Sequence, residues 1–135
     1  MKIGIIVQAR MSSERLPGKM LQEINGRPLV DYVTSRLKQC READGIIIAT
    51  SKESTDGSLA QYCRGQGLEV FRGDLFNVAK RYYNAAAHYK LDAFVRINGD
   101  SPWIDPVLVD EMIRIFKDKR YDIVTNVYQR TFPHG

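Results

Sequence analysis

Apolar positions fall into five short runs rich in β-branched residues, separated by longer stretches with helical spacing. The runs predict strands over Lys2–Ala9, Gly45–Thr50, Glu69–Phe71, Ala93–Ile97 and Asp122–Asn126. Their hydrophobicity is near-continuous instead of alternating, the pattern of strands covered by helices on both faces. The stretches between them predict four helices. The first starts at Pro28, a residue suited to an opening turn, and places Leu29, Val30, Val33, Leu37 and Cys40 on one face. The second runs from about Thr55 to Arg64 and is stopped by Gly65 and Gly67. The third, from about Phe76 to Tyr89, buries Val78, Tyr82, Ala85 and Ala86. The fourth opens with Asp105 as its cap and Pro106 at the first helical position.

Strand and helix alternate throughout, which calls for a mostly parallel sheet with right-handed crossovers in a three-layer α/β/α unit. At 135 residues the chain is expected to form a single domain. Hydrophobic residues make up 44%, enough for a packed interior. The net charge is +4 with the cations scattered, which argues against a role in neutralising a nucleic-acid backbone. No apolar run approaches the ~20 residues that a membrane span needs, and no membrane partner is expected. The opening "MKIGIIVQAR" reads as a first strand, not a signal peptide. Cys40 and Cys63 fall inside predicted helices, far from any CxxC spacing. They read as free thiols in a reducing compartment, so a cytoplasmic location is expected.

In an open parallel sheet, ligands bind beyond the carboxyl ends of the strands. Here those ends lead into "QARMSSER", "TSKEST", "RGDLFN" and "NGDSPW". The first loop continues through "LPGKML" and carries Arg10, Arg15 and Lys19 directly after a buried strand. It does not satisfy GxxxxGK[ST], because Ser13 stands at the first glycine position and Met20 follows Lys19. A different phosphate grip remains: Arg10 and Arg15 offer planar forks, Lys19 a point charge, and Ser12 and Ser13 hydroxyl and backbone donors. The alternative is a solvated loop whose ion pairs contribute little.

In the fourth loop, Gly99 permits a tight turn that aims Asp100 off the sheet. One carboxylate there suits Mg²⁺, which takes its other ligands from water and substrate phosphates; an Asx-turn is the structural alternative for Asp100. Cations and carboxylate on one rim suit phosphoryl or nucleotidyl transfer, where catalysis is mostly positioning and charge neutralisation. His88 sits in a helix and His134 in the tail, so neither zinc spacing nor a Ser/His/Asp arrangement is present.

These residues also carry a family likeness. "IIVQARMSSERLPGKML" and "VRINGDSPWIDP" resemble the cytidylyltransferases that make CMP-activated acidic sugars, the acylneuraminate and 3-deoxy-manno-octulosonate enzymes. They are most similar to the spore-coat polysaccharide biosynthesis relatives of those enzymes, where "FRGDLFNVAKRYYNAA" and "NVYQRTFPHG" also have counterparts. The resemblance implies a nucleotide-diphospho-sugar transferase-like, Rossmann-like fold and transfer of CMP from CTP to an acidic sugar, with pyrophosphate leaving. It implies that Arg10, Ser12, Ser13, Arg15 and Lys19 bind the triphosphate, that Arg15, Lys19 and Asp100 are catalytic, and that Asp100 is a Mg²⁺ ligand. Arg72 and Asn98 would lie near the nucleoside, and Asn126, Arg130 and Phe132 are candidate sugar contacts.

Two departures qualify the likeness. Asn98 stands where the sugar-acid enzymes usually have Gln, so the preference for cytosine is inherited and not read. The chain also stops at "TFPHG", so the resemblance implies a domain lacking the C-terminal part of the family fold, with its second acidic ligand, much of the sugar pocket and a homodimer contact. A sugar-nucleotide-dependent glycosyltransferase and a non-catalytic nucleotide-binding module therefore stay open as other readings.

Overall fold

The computed structural model describes residues 1–129. In chain order its elements are β1 (Ile3–Gln8), β2 (Glu23–Ile24), β3 (Arg27–Pro28), α1 (Leu29–Leu37), β4 (Gly45–Ser51), α2 (Gly57–Gly65), β5 (Glu69–Gly73), α3 (Val78–His88), β6 (Ala93–Asn98) and α4 (Pro106–Lys119). β1 pairs in parallel with β4 on one side and with β6 on the other, while β5 pairs with β4, so the main sheet runs β5-β4-β1-β6. Successive strand residues face opposite ways, and β1 is apolar at both sets of positions because both of its faces are covered. Ile3, Ile5 and Val7 pack with Ile48, Val70 and Ile97 beneath Val30, Val33 and Leu37 of α1, Leu59 and Cys63 of α2, and Val109 and Ile113 of α4. Ile6, Ile47 and Ala49 on the opposite face meet Tyr82 and Ala85 of α3. The result is the expected three-layer α/β/α arrangement around a parallel sheet.

The fifth expected strand, Asp122–Asn126, does not form; residues 121–129 are turns and irregular chain, with Ile123 79% exposed. β-branched residues favour a pleated surface only where an edge is there to pair with, and among the described residues this segment reaches none. The helices are shorter than their apolar patterns suggested. Pro28 caps α1 instead of joining it, and Cys40 lies beyond the helix end with its amide donating to the Leu37 carbonyl. A 3-10 turn over Ser54–Asp56 precedes α2. Asn77 starts α3 two residues late, its Oδ1 accepting from the Lys80 amide at 2.9 Å. Asp105 caps α4 as expected, accepting from the Val107 amide at 2.9 Å. The small β2–β3 hairpin was unanticipated, although Asn25-Gly26 at φ 51° and 75° is the turn sequence that makes one. Both cysteines are free, and burial is the first cause raising each thiol to about 11.

Gly99, where β6 gives way to the rim, is needed for a reason other than its φ, which is not positive. Its amide donates to the Gln8 carbonyl at 2.7 Å. A Cβ there would stand 2.6 Å from that same oxygen and 3.1 Å from both Ala9 Cβ and Met20 Cε. Gly99→Ala is expected to cost about 1–3 kcal/mol of stability through backbone displacement. Gly57→Ala, with open space around the added methyl, should be neutral or stabilising by about 0.4–1 kcal/mol. Urea denaturation of the two variants measures the contrast.

Candidate functional site

The loop after β1 closes on a single residue, Met11. Its carbonyl accepts from the Ser13 amide at 3.0 Å and the Gly18 amide at 2.8 Å, and its own amide donates to Asp56 Oδ1 at 2.7 Å. Ser13 Oγ accepts from the Leu16 amide at 3.3 Å, folding the segment between. Gly18 is left-handed at φ 75°, which glycine adopts without a Cβ penalty, and the next residues form a 3-10 turn over Lys19–Leu21. Met20, 1% exposed, is sunk into the main core, so Lys19 is held between a glycine turn and an anchored neighbour. Arg10, Ser12 and Arg15 are exposed. Among the described residues neither arginine is in an ion pair.

The loop after β6 comes to meet this one. Lys19 Nζ donates to Asp100 Oδ2 at 2.8 Å, joining residues 81 apart in sequence. The Lys19 hydrogen bond is the first cause holding the Asp100 carboxyl below its ordinary range, so it is ionised at neutral pH. With the side chains 28% and 51% exposed, the pair contributes only about 0–1 kcal/mol. A stronger partner for either member can open it.

Asn98 ends β6 opposite Gln8 and is exposed, its carbonyl accepting from the Ser101 amide at 3.2 Å. Arg72 lies on β5 at the same end of the sheet, but its guanidinium is engaged. Nε donates to the Ser51 carbonyl at 2.8 Å and Nη2 to the Glu53 carbonyl at 2.7 Å, bracing the loop after β4. Asn126 stands exposed in the segment after α4, with no hydrogen bond to the rim among the described residues. Arg130 and Phe132 lie outside the described residues. Arg10, Ser12, Ser13, Arg15, Lys19, Asn98 and Asp100 thus occupy the loops or strand ends of one rim. An open hollow of about 590 Å³ beside Cys40, Arg41 and Asp110 lies at the opposite, amino-end side of the sheet and shares none of them.

Among the described residues no group of three or more His, Cys, Asp or Glu side chains could hold a metal ion. Asp100 is a single ionised carboxylate at the rim. That donor does not make a metal cage, yet it fits a magnesium ion that arrives on phosphates and needs only one or two protein carboxylates.

The cytidylyltransferase family model matches residues 4–132, a span that includes both rim loops. The chain belongs to the cytidylyltransferase family. The spore coat polysaccharide biosynthesis protein SpsF of Bacillus subtilis is 38% identical over 124 residues, covering 89% of this chain and 52% of that protein. A cytidylyltransferase structure from Leptospira borgpetersenii serovar Hardjo-bovis superposes with a TM-score of 0.90 at 35% identity, covering 98% of this chain and 56% of the other. The CMP:2-keto-3-deoxy-manno-octonic acid synthetase complexed with CTP gives a TM-score of 0.77 at 26% identity, covering 89% of this chain and 49% of that one. The chain has the Rossmann-like α/β fold of those two solved structures, and it spans about half the length of the curated relatives it matches. No helix among the described residues is long and apolar enough to cross a membrane.

Removing the Asp100 charge frees Lys19 and lifts one repulsion from the rim. Asp100→Asn is therefore expected to bind metal-free inorganic tripolyphosphate about two- to fivefold more tightly than the native chain, in line with the small free energy of an exposed ion pair. Isothermal titration calorimetry measures it; weaker binding would mean that the pair does not restrain Lys19.

Proposed function

We propose that this chain carries the nucleotide-binding half-site of an enzyme that transfers CMP from CTP to an acidic sugar and releases pyrophosphate, in surface or spore-coat polysaccharide biosynthesis. The observation that supports this reading best is the meeting of Lys19 and Asp100 from two loops, beside two arginines that form no ion pair among the described residues. A triphosphate replaces Asp100 as the partner of Lys19, because several phosphate oxygens bind a cation more strongly than one exposed carboxylate. Arg10 and Arg15 grip further oxygens through planar forks, with Ser12 and the hydroxyl of Ser13 as additional donors. Asn98 and Arg72 sit on the nucleoside side. Asn126, with Arg130 and Phe132, is assigned to the sugar side on family likeness alone.

In this scheme the sugar hydroxyl attacks the α-phosphorus and the bond to the pyrophosphate oxygen breaks. Arg15 and Lys19 neutralise charge growing on the leaving pyrophosphate, the kind of fixed electrostatic stabilisation that dominates such transfers. Asp100, released from Lys19, would hold Mg²⁺. Bound there, the ion would supply further charge neutralisation on the triphosphate.

Pyrophosphate release assayed with CTP, ATP, GTP and UTP, each against a panel of sugar acids, tests the proposal. Release with CTP and one acid class is expected. No release with any pair would refute transfer, and a rise in melting temperature with CTP and Mg²⁺ alone would then identify a binding module. Arg15→Ala and Lys19→Ala are each expected to lower turnover about 10²–10³-fold with an unchanged melting temperature. Native turnover in either variant would remove that residue from the phosphate grip.

A further inference from the structure

Asp56 is fully buried at 0% exposure, yet among the described residues no cation bonds to it and its partners are neutral donors. Oδ1 accepts from the Met11 amide at 2.7 Å, and Oδ2 accepts from the Ser51 amide at 3.3 Å and from the Ser51 hydroxyl. A buried carboxylate is costly unless donors and a countercharge satisfy it. Arg81, 1% exposed, is a second buried ionisable side chain near this rim, with Arg10 opposing its charged form and Asp56 and Asp74 favouring it. Arg81 Nη1 donates to the Asp74 carbonyl at 2.5 Å and the Leu75 carbonyl at 3.2 Å, while its Nε and Nη2 have no partner among the described residues. The loops after β1 and β4 are thus tied to the buried Asp56 carboxylate, and the loop after β5 to the buried Arg81 guanidinium. Burial is the first cause lowering the Arg81 pKa, as expected where no partner bonds the inner edge of the guanidinium.

Met11 is the point at which Asp56 reaches the cation loop. The carbonyl of that residue closes the loop through Ser13 and Gly18, so its amide is the loop's tether to the rest of the rim. Ser51 extends the tie: its hydroxyl accepts from the Glu53 amide at 3.1 Å and its carbonyl accepts from Arg72.

We infer that Asp56 is a positioning residue, which sets the affinity of the Arg10–Lys19 loop for phosphates by holding the Met11 amide without touching the ligand. The inference rests on the phosphate-binding reading of that loop, and on neither the nucleobase nor the sugar. Phosphate oxygens reward donors already in place, because ordering a loop on binding subtracts from affinity.

The test uses inorganic tripolyphosphate and, separately, CTP, with amide exchange at Met11 followed by NMR. Asp56→Ala should weaken tripolyphosphate binding by the folded protein about ten- to a hundredfold, the loss of a hydrogen bond to a charged acceptor. Exchange at Met11 should rise while Ile5–Val7 stay protected. Asp56→Asn, which can keep an oxygen facing Met11, should restore affinity to within about threefold of native. Should Asp56→Ala fail to fold, Ser51→Ala removes one of the carboxylate's donors and should weaken binding in the same direction. A lowered melting temperature with native tripolyphosphate affinity, in Asp56→Ala or in its Ser51→Ala substitute, would overturn the inference. Native chain that binds tripolyphosphate but not CTP would overturn the CTP reading and leave this one intact; binding neither would overturn both.

Discussion

The parallel pairing of β1 between β4 and β6 is the constraint from which the site follows. With both edges hydrogen-bonded and both faces covered, Gln8 has one place in the molecule, in register with Ala49 and Asn98. The loops that leave those three strands are therefore measured from a common line. Gly99 brings the fourth loop against the first at a separation no side chain would permit, with its amide on the Gln8 carbonyl. Lys19 and Asp100 come within 2.8 Å because the strands beneath them cannot slide.

On this frame the rim is electrostatically unfinished. Arg10 and Arg15 are exposed, and Lys19 is held by a partly exposed carboxylate. Such a pair loses little on opening. In the proposed reading, a phosphate-rich ligand carrying a divalent ion would exchange one ion pair for two better ones, each member leaving for a partner of higher charge. The buried Asp56 carboxylate differs in kind. It is shielded from water and tied to the Met11 and Ser51 amides, so it organises the rim instead of trading partners with a ligand.

The sheet also has an unequal second face. α3 covers β1, β4 and β5, but the β6 residues on that side, Phe94, Arg96 and Asn98, are exposed. Tyr82 reaches across, stacking on Phe94 with centroids 5.5 Å apart and lying 5.6 Å from the Arg96 guanidinium. Asn98 therefore stands at the open corner of the rim.

What was legible in the chain was whatever depends on near neighbours. Apolar runs marked β1, β4, β5 and β6, and the Asp105-Pro106 pair marked the start of α4, since strand burial and helix caps are written within a few residues. The cation loop was legible too, because its charges are contiguous with a buried strand. The segment Asp122–Asn126 misled for the complementary reason: its composition suits a strand, but pairing depends on an edge elsewhere. The second rim loop was read as "TSKEST", ending one residue short of Asp56, whose carboxylate finds its donors at Ser51 and, 45 positions away, at Met11. By itself the sequence determined the alternation of elements and which side chains carry charge at the carboxyl end of the sheet. Only the tertiary structure decided which of those charges meet, because contacts such as Lys19 with Asp100 and Met11 with Asp56 are set by strand register and loop closure, which no local pattern records.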